Sequence, residues 1–135
     1  MIRILLVDNH PLVRRTIRTL LERSEDIDVI GEARDGAEAL EQAAILQPDV
    51  VVMDVRMPQM DGLQATRAIR ARQPEIAVVL ISMYSAADLD ESIHRAGGAA
   101  FVPKEALLAE LVPAVRLAVA AEQPDNHPYT LEIIN

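Results

Sequence analysis

Val50-Val51-Val52-Met53-Asp54-Val55-Arg56-Met57-Pro58-Gln59-Met60-Asp61-Gly62 is the stretch that decides the fold. An apolar run delivers one carboxylate, Asp54, and the chain then turns at once through Pro58. A short apolar run of this kind marks a strand buried on both faces of a parallel sheet. A carboxylate at the carboxyl end of that strand lies where open α/β sheets hold their ligands.

Working outward, four more apolar runs occur: Ile4–Val7, Val29–Ala33, Ala77–Ile81 and Ala100–Val102. Helical patterns separate them. Val13, Ile17, Leu20 and Leu21 fall at i, i+4, i+7 and i+8, one face of a helix. Pro11 suits the first turn of that helix, where a missing N–H costs nothing. A second helix is expected from near Gly36, with Ala37, Leu40 and Ala44 inward. A third follows Asp61, its cap, with Leu63 and Ile69 facing the sheet. Ser85 to Asp88 has capping-box spacing before a fourth helix carrying Leu89, Ile93 and Ala96. The last puts Leu108, Leu111, Val112, Val115 and Val119 on one face, and Pro113 demands a start near Ala109 or a bend. Five βα units in series predict an α/β protein with a parallel sheet and right-handed crossovers.

The 135 residues suit one domain. Half are hydrophobic, yet with two Tyr, one Phe and no Trp the core must be aliphatic. A formal charge of −8 argues against direct binding to nucleic acid or an anionic membrane. The absence of Cys excludes disulfide and thiolate chemistry and fits a cytoplasmic setting. The apolar start, Met1 to Val7, stops at Asp8, too short for a membrane span or signal core. Residues 1–121 are expected to form the domain. Residues 122–135 are expected to be a linker or tail, ending in the β-prone Tyr129–Ile134.

The polar residues at the predicted strand ends form a set. Strand 1 ends in Asp8 and Asn9, strand 3 in Asp54, strand 4 in Ser82, and Lys104 follows strand 5. Singly, Asp8 and Asn9 read as helix caps, Ser82 as a turn residue and Lys104 as a solvated surface group. Jointly they mark one edge of the sheet. The set resembles that of bacterial response-regulator receiver domains, which implies phosphoryl transfer to Asp54, a chemistry that needs positioning and charge neutralisation above all. A nearby ammonium favours the ionised aspartate that must attack phosphorus. A hard divalent cation, Mg2+, suits carboxylates, a backbone carbonyl and waters. Oxygens of a phosphoryl group on Asp54 could accept from the Ser82 hydroxyl and the Lys104 ammonium. Pro58 and Gly62 are assigned to backbone geometry. His10, His94 and His127 share no ligand spacing and fit surface or helix-start positions.

Residues 1 to about 121 resemble the receiver domain of bacterial response regulators, more narrowly the NarL/FixJ (LuxR-type) branch. The likeness rests on Val7-Asp8-Asn9-His10-Pro11-Leu12-Val13, Ile30-Gly31-Glu32-Ala33, Asp35-Gly36-Ala37-Glu38-Ala39-Leu40 and the Asp54 loop. The resemblance implies a flavodoxin-like (βα)5 fold with strand order 2-1-3-4-5. It implies that Asp54 accepts a phosphoryl group from a sensor histidine kinase. Mg2+ would be held by Asp8, Asp54, the Arg56 backbone carbonyl and, weakly, Asn9. Ser82 and Phe101 would then rearrange together, repacking the face of helix 4, strand 5 and helix 5 to control homodimerisation or an output.

The chain departs from the family where a second acidic residue is usual, since Asn9 brings no charge. Weak Mg2+ binding and slowed phosphorylation are the expectation. Arg56 and Tyr84 are expected at the pocket rim, shielding the acyl phosphate from water. DNA would be reached only through an output domain, and nothing after Ala121 can form one. A shortened chain, a natural single-domain receiver and a partner-binding tail are equally compatible with that. Two other functions compete: a degenerate receiver acting as a phosphorylation-independent interaction module, and a phospho-aspartyl hydrolase. The latter needs a second carboxylate two residues past the nucleophile, where Arg56 stands.

Overall fold

The structure is a computed structural model, and it describes residues 1–82 and 86–122. Five parallel strands, β1 (Ile2–Val7), β2 (Ile27–Ala33), β3 (Val50–Asp54), β4 (Ala77–Ser82) and β5 (Ala100–Pro103), alternate with five helices. The helices are α1 (Pro11–Glu22), α2 (Gly36–Leu46), α3 (Gly62–Arg72), α4 (Ala86–Ala96) and α5 (Leu107–Glu122). The sheet order is β2-β1-β3-β4-β5, as the resemblance implies, and every neighbouring pair is parallel. The order reverses between β1 and β3, and their carboxyl ends flank the switch point where ligands bind in such sheets.

Apart from Arg3 near the start of β1 and Asp54 and Ser82 at the ends of β3 and β4, the central strands are apolar because both of their faces are covered. Alternate residues serve two cores. Ile4, Leu6, Val50, Val52, Val79 and Ile81 pack with Ile17 and Leu21 of α1 and Leu111, Val115 and Ala118 of α5. Leu5, Val7, Val51, Met53, Val78 and Leu80 pack on the other face with Ala39 and Ala43 of α2, Ala65 and Ile69 of α3, and Ile93 of α4.

The first three helices start as expected, and two helix faces are turned from expectation. Pro11 opens α1, Asp35 caps α2 through the Glu38 N–H, and Asp61 forms a full capping box with Gln64. On α2, however, Ala37 and Ala44 are exposed while Gly36, Ala39 and Ala43 are buried. Small residues let that helix lie close to its neighbours: a Cβ at Gly36 would stand 2.9 Å from Met60. On α5, Leu108 is 76% exposed. Leu107, four residues before the buried Leu111, takes the inward position and packs on the core. The helix starts at Leu107, before Ala109, so Pro113 lies inside it. Because Pro113 has no N–H, the carbonyl of Ala109 loses its helical donor, and Ala109 is exposed to water. The capping box at Ser85, the Leu89 side chain and residues 123–135 lie outside the described residues. Among those described, no helix is long and apolar enough to cross a membrane.

Candidate functional site

The turn after β3 is built to hold Asp54 still. Asp54 is the last residue of the strand, and the Val55 N–H continues the ladder to the Ile81 carbonyl at 2.9 Å. Gln59 adopts φ 68° in a three-residue turn closed by the Met60 N–H on the Pro58 carbonyl at 2.8 Å. Gly62 then donates to the Val55 carbonyl at 2.7 Å. A Cβ on Gly62 would overlap the Asp54 carbonyl oxygen and stand 2.8 Å from the Val55 Cα. Only glycine lets α3 begin this close to the strand it follows.

Asp54 and Asp8 are both buried, at 3% and 1% exposure, at the carboxyl ends of the neighbouring strands β3 and β1. Lys104 joins them. Its Nζ lies 3.2 Å from Asp54 Oδ2 and 3.9 Å from Asp8 Oδ2. Lys104 gets there through a 3-10 turn, Lys104–Ala106, that starts immediately after Pro103. Pro103 ends β5, the edge strand, where a missing N–H leaves no ladder bond unmade. The Arg56 N–H donates to Asp54 Oδ1 at 3.2 Å. Burial pushes the Asp54 carboxyl above the usual carboxylate range and the charge of Asp8 adds to that, while Lys104 and the Arg56 N–H pull the other way.

Asp8 does not cap α1. Its Oδ1 accepts the backbone N–H of His10 at 2.8 Å, and His10 is the N-cap position, without a side-chain cap bond. Asp8 Oδ2 and Asn9 Oδ1 are buried and accept no hydrogen bond. Leaving buried oxygen acceptors unmatched costs free energy, and an unmatched Asn9 oxygen beside the Asp8 and Asp54 carboxylates fits a cation. The donor set is hard, suited to Mg2+.

Ser82 is buried at the end of β4, and Phe101 is half-buried on β5. Leu80 pairs with Phe101 and Ser82 with Pro103. By strand alternation Ser82 and Phe101 share the sheet face covered by α3 and α4, where Phe101 packs. Arg56 is exposed at the rim. Tyr84 lies outside the described residues. The structure thus brings Asp8, Asp54 and Lys104 into one cluster, with Asn9, Ser82 and Arg56 around it.

Sequence reading missed the support behind Asp8. Arg14 donates from Nη1 to the Asp8 backbone carbonyl at 2.6 Å and from Nε to Glu32 at 2.8 Å. Arg18 holds the other oxygen of Glu32. Partial burial raises the Glu32 carboxyl, but hydrogen bonds from Arg14 and Arg18 outweigh it and leave the group below its ordinary range. A glutamate inside an apolar strand, facing arginines four apart on α1, was the available signal. His10 stands at the start of α1, at the surface, as expected. Its imidazole is 63% exposed, yet Nδ1 lies 3.4 Å from Asp8 Oδ1.

With this geometry established, residues 4–116 match the family model described as the response regulator receiver domain. The chain belongs to that family. It is 42% identical over 123 residues to the response regulator GacA of Pseudomonas viridiflava, a match covering 91% of this chain and 58% of the relative. The chain therefore spans somewhat over half the length of such relatives. Among solved structures, a LuxR-family two-component response regulator from Aurantimonas sp. superposes with a TM-score of 0.85 at 34% identity, covering 98% of this chain and 96% of that one. The receiver domain of a putative response regulator NarL from Mycobacterium tuberculosis gives 0.76 at 33% identity, covering 85% and 96%. These likenesses agree with the NarL/LuxR-type branch, and this receiver belongs to a two-component response regulator.

Proposed function

We propose that this receiver is a phosphorylation-dependent switch with Asp54 as acceptor. The carrying observation is the Lys104 ammonium 3.2 Å from a buried Asp54 carboxylate. An Asp54 oxygen attacks the phosphorus of a kinase phosphohistidine. The P–N bond breaks, and the histidine nitrogen leaves with its electron pair and takes up a proton. Lys104 offsets charge on the transferring group, and the Arg56 N–H keeps the carboxylate aimed. Asp8, Asp54, Asn9 and the Arg56 carbonyl would hold Mg2+, which when bound neutralises phosphoryl oxygens.

Transfer adds about one negative charge beyond that of the carboxylate. Its oxygens would draw the Ser82 hydroxyl inward, and Phe101 would follow on the same face. That shifts a balance between two packings of α4, β5 and α5, altering homodimerisation or an output outside residues 1–121. Arg56 and Tyr84 would shield the acyl phosphate. A cytoplasmic setting with a sensor histidine kinase as donor suits this reading. Asn9 supplies a carbonyl in place of a charge, so uptake is slow without being lost.

Incubation of the whole chain with acetyl phosphate and Mg2+, read by intact mass, tests it. A gain of one phosphoryl group on wild type and none on Asp54→Asn is expected. No gain on wild type would overturn the switch and favour the constitutive interaction module that Asn9 suggests.

A further inference from the structure

The backbone that carries Asp8 and Asn9 is tied to β2 from two sides. The Asp8 N–H donates to the Ala33 carbonyl at 3.1 Å. The Asp8 carbonyl accepts from Arg14 Nη1 at 2.6 Å, and Arg14 Nε donates to Glu32, the residue before Ala33, at 2.8 Å. One planar guanidinium thus holds a loop carbonyl and a strand carboxylate at once, which its fixed fork allows and a point charge does not. Glu32 is braced in turn by Arg18, which also donates to Glu22 at 2.9 Å.

A register shift aims Glu32 at α1. Ile4 pairs with Val29 but Leu5 pairs with Gly31, so β2 carries one extra residue there. Without it, strand alternation would put Glu32 on the face opposite Val29. With it, Glu32 pairs with Leu6 and lies on the face where Leu6 and Val29 pack with Ile17 and Leu21 of α1. Extra residues of this kind re-aim side chains beside functional sites.

Asn9 gives this brace its weight. A carboxylate can turn either of two oxygens to a cation, whereas an amide has one oxygen and presents N–H on its other side. Asn9 Oδ1 is buried and accepts no hydrogen bond among the described residues, so no bond to that oxygen fixes its direction. The Asp8–Asn9 peptide has to fix it instead, and Arg14 holds the carbonyl of that peptide.

We propose that Arg14, held by Glu32, is a positioning residue that sets the aim of Asn9 and thereby the cation affinity of the pocket. This rests on the phosphorylation reading above and concerns residues that lie outside the pocket itself.

Calorimetric titration of the full chain with Mg2+ tests it, alongside the rate of uptake from acetyl phosphate measured against Mg2+ concentration. By charge alone, Arg14→Ala would strengthen cation binding, because a positive charge leaves the neighbourhood. Positioning predicts the reverse. Arg14→Ala is expected to weaken Mg2+ by about tenfold, the scale of losing a group that orients a ligand, and to leave the rate at saturating Mg2+ within about twofold. In an Asn9→Asp background the same substitution is expected to cost about threefold or less, since either carboxylate oxygen then serves. A loss of stability alone would carry over unchanged. Glu32→Gln keeps the shape and weakens both arginine bonds, so it is expected to weaken Mg2+ by about threefold; it decides the matter if Arg14→Ala does not fold. Unchanged or tighter Mg2+ binding in these variants, or equal loss with Asn9 and with Asp at position 9, overturns the proposal and leaves Asp54 as acceptor. A wild type that neither binds Mg2+ nor takes up a phosphoryl group overturns the proposal together with the reading beneath it.

Discussion

The two ends of the sheet use the same chemistry to opposite effect. At the amino end, Arg3 and Asp49 are both exposed. The Arg3 N–H donates to Asp49 Oδ2 at 2.8 Å, and its guanidinium reaches the Gln47 and Leu46 carbonyls at 2.8 and 2.9 Å. Those carbonyls close α2, whose C-cap Gln47 sits at φ 49°. Arg3 and Asp49 each have both a partner and water. At the carboxyl end, Asp8 and Asp54 are buried with one ammonium between two carboxylates. Burial raises Asp54, and an Asp8 oxygen accepts no hydrogen bond. The amino end spends charge on closing a helix, whereas the carboxyl end keeps charge in a state that ligands would relieve.

The sharpest way to break this contrast is to remove an ammonium or a carboxylate and watch phosphoryl uptake. Lys104→Ala is expected to slow uptake from acetyl phosphate by roughly a hundredfold, the scale of losing one charge-stabilising donor. Asp49→Ala is expected to leave the rate unchanged by the same mass-spectrometric time course. Next in size is the turn. Gly62→Ala should cost roughly 3 kcal/mol in urea unfolding, because the new methyl meets backbone rather than a yielding side chain.

A smaller effect has the opposite sign. The Asp54 carboxyl is raised in the fold, so its protonated form is favoured there and its ionised form is penalised. That penalty is absent below the ordinary carboxylate range and grows as pH rises through the folded value. Asp54→Asn should therefore stabilise the chain at neutral pH by on the order of 1 kcal/mol, a gain that disappears on acidification in chemical melts. Asp49→Asn should give no such gain. Smallest is Arg3→Ala, expected to cost about 0.5 kcal/mol for exposed bonds to two carbonyls with uptake untouched.

Most of the carboxyl-edge cluster was legible in the sequence because each member interrupts or ends an apolar run. Asp8 directly follows β1, while Asp54 and Ser82 close their strands. The inward face of α2 was not, since alanine and glycine carry too little apolar area to point a helix. Ala37 and Ala44 look inward as readily as Ala39 and Ala43. Leu108 misled for a related reason: the helix start decides whether it or Leu107 faces the core. Lys104 was expected at the site, but the 3-10 turn that swings it over Asp54 has no periodic signal at three residues. Glu32 and Arg14 needed the pairing of β1 with β2 before their contact with Asp8 could be seen.

Borohydride reduction after phosphorylation bears most directly on Asp54 as acceptor. An acyl phosphate on an aspartate is reduced to homoserine, which peptide mapping locates. The expected result is homoserine at position 54, dependent on Lys104 and absent without phosphodonor. Homoserine at another carboxylate, with Asp54 recovered intact from a phosphorylated sample, would contradict it.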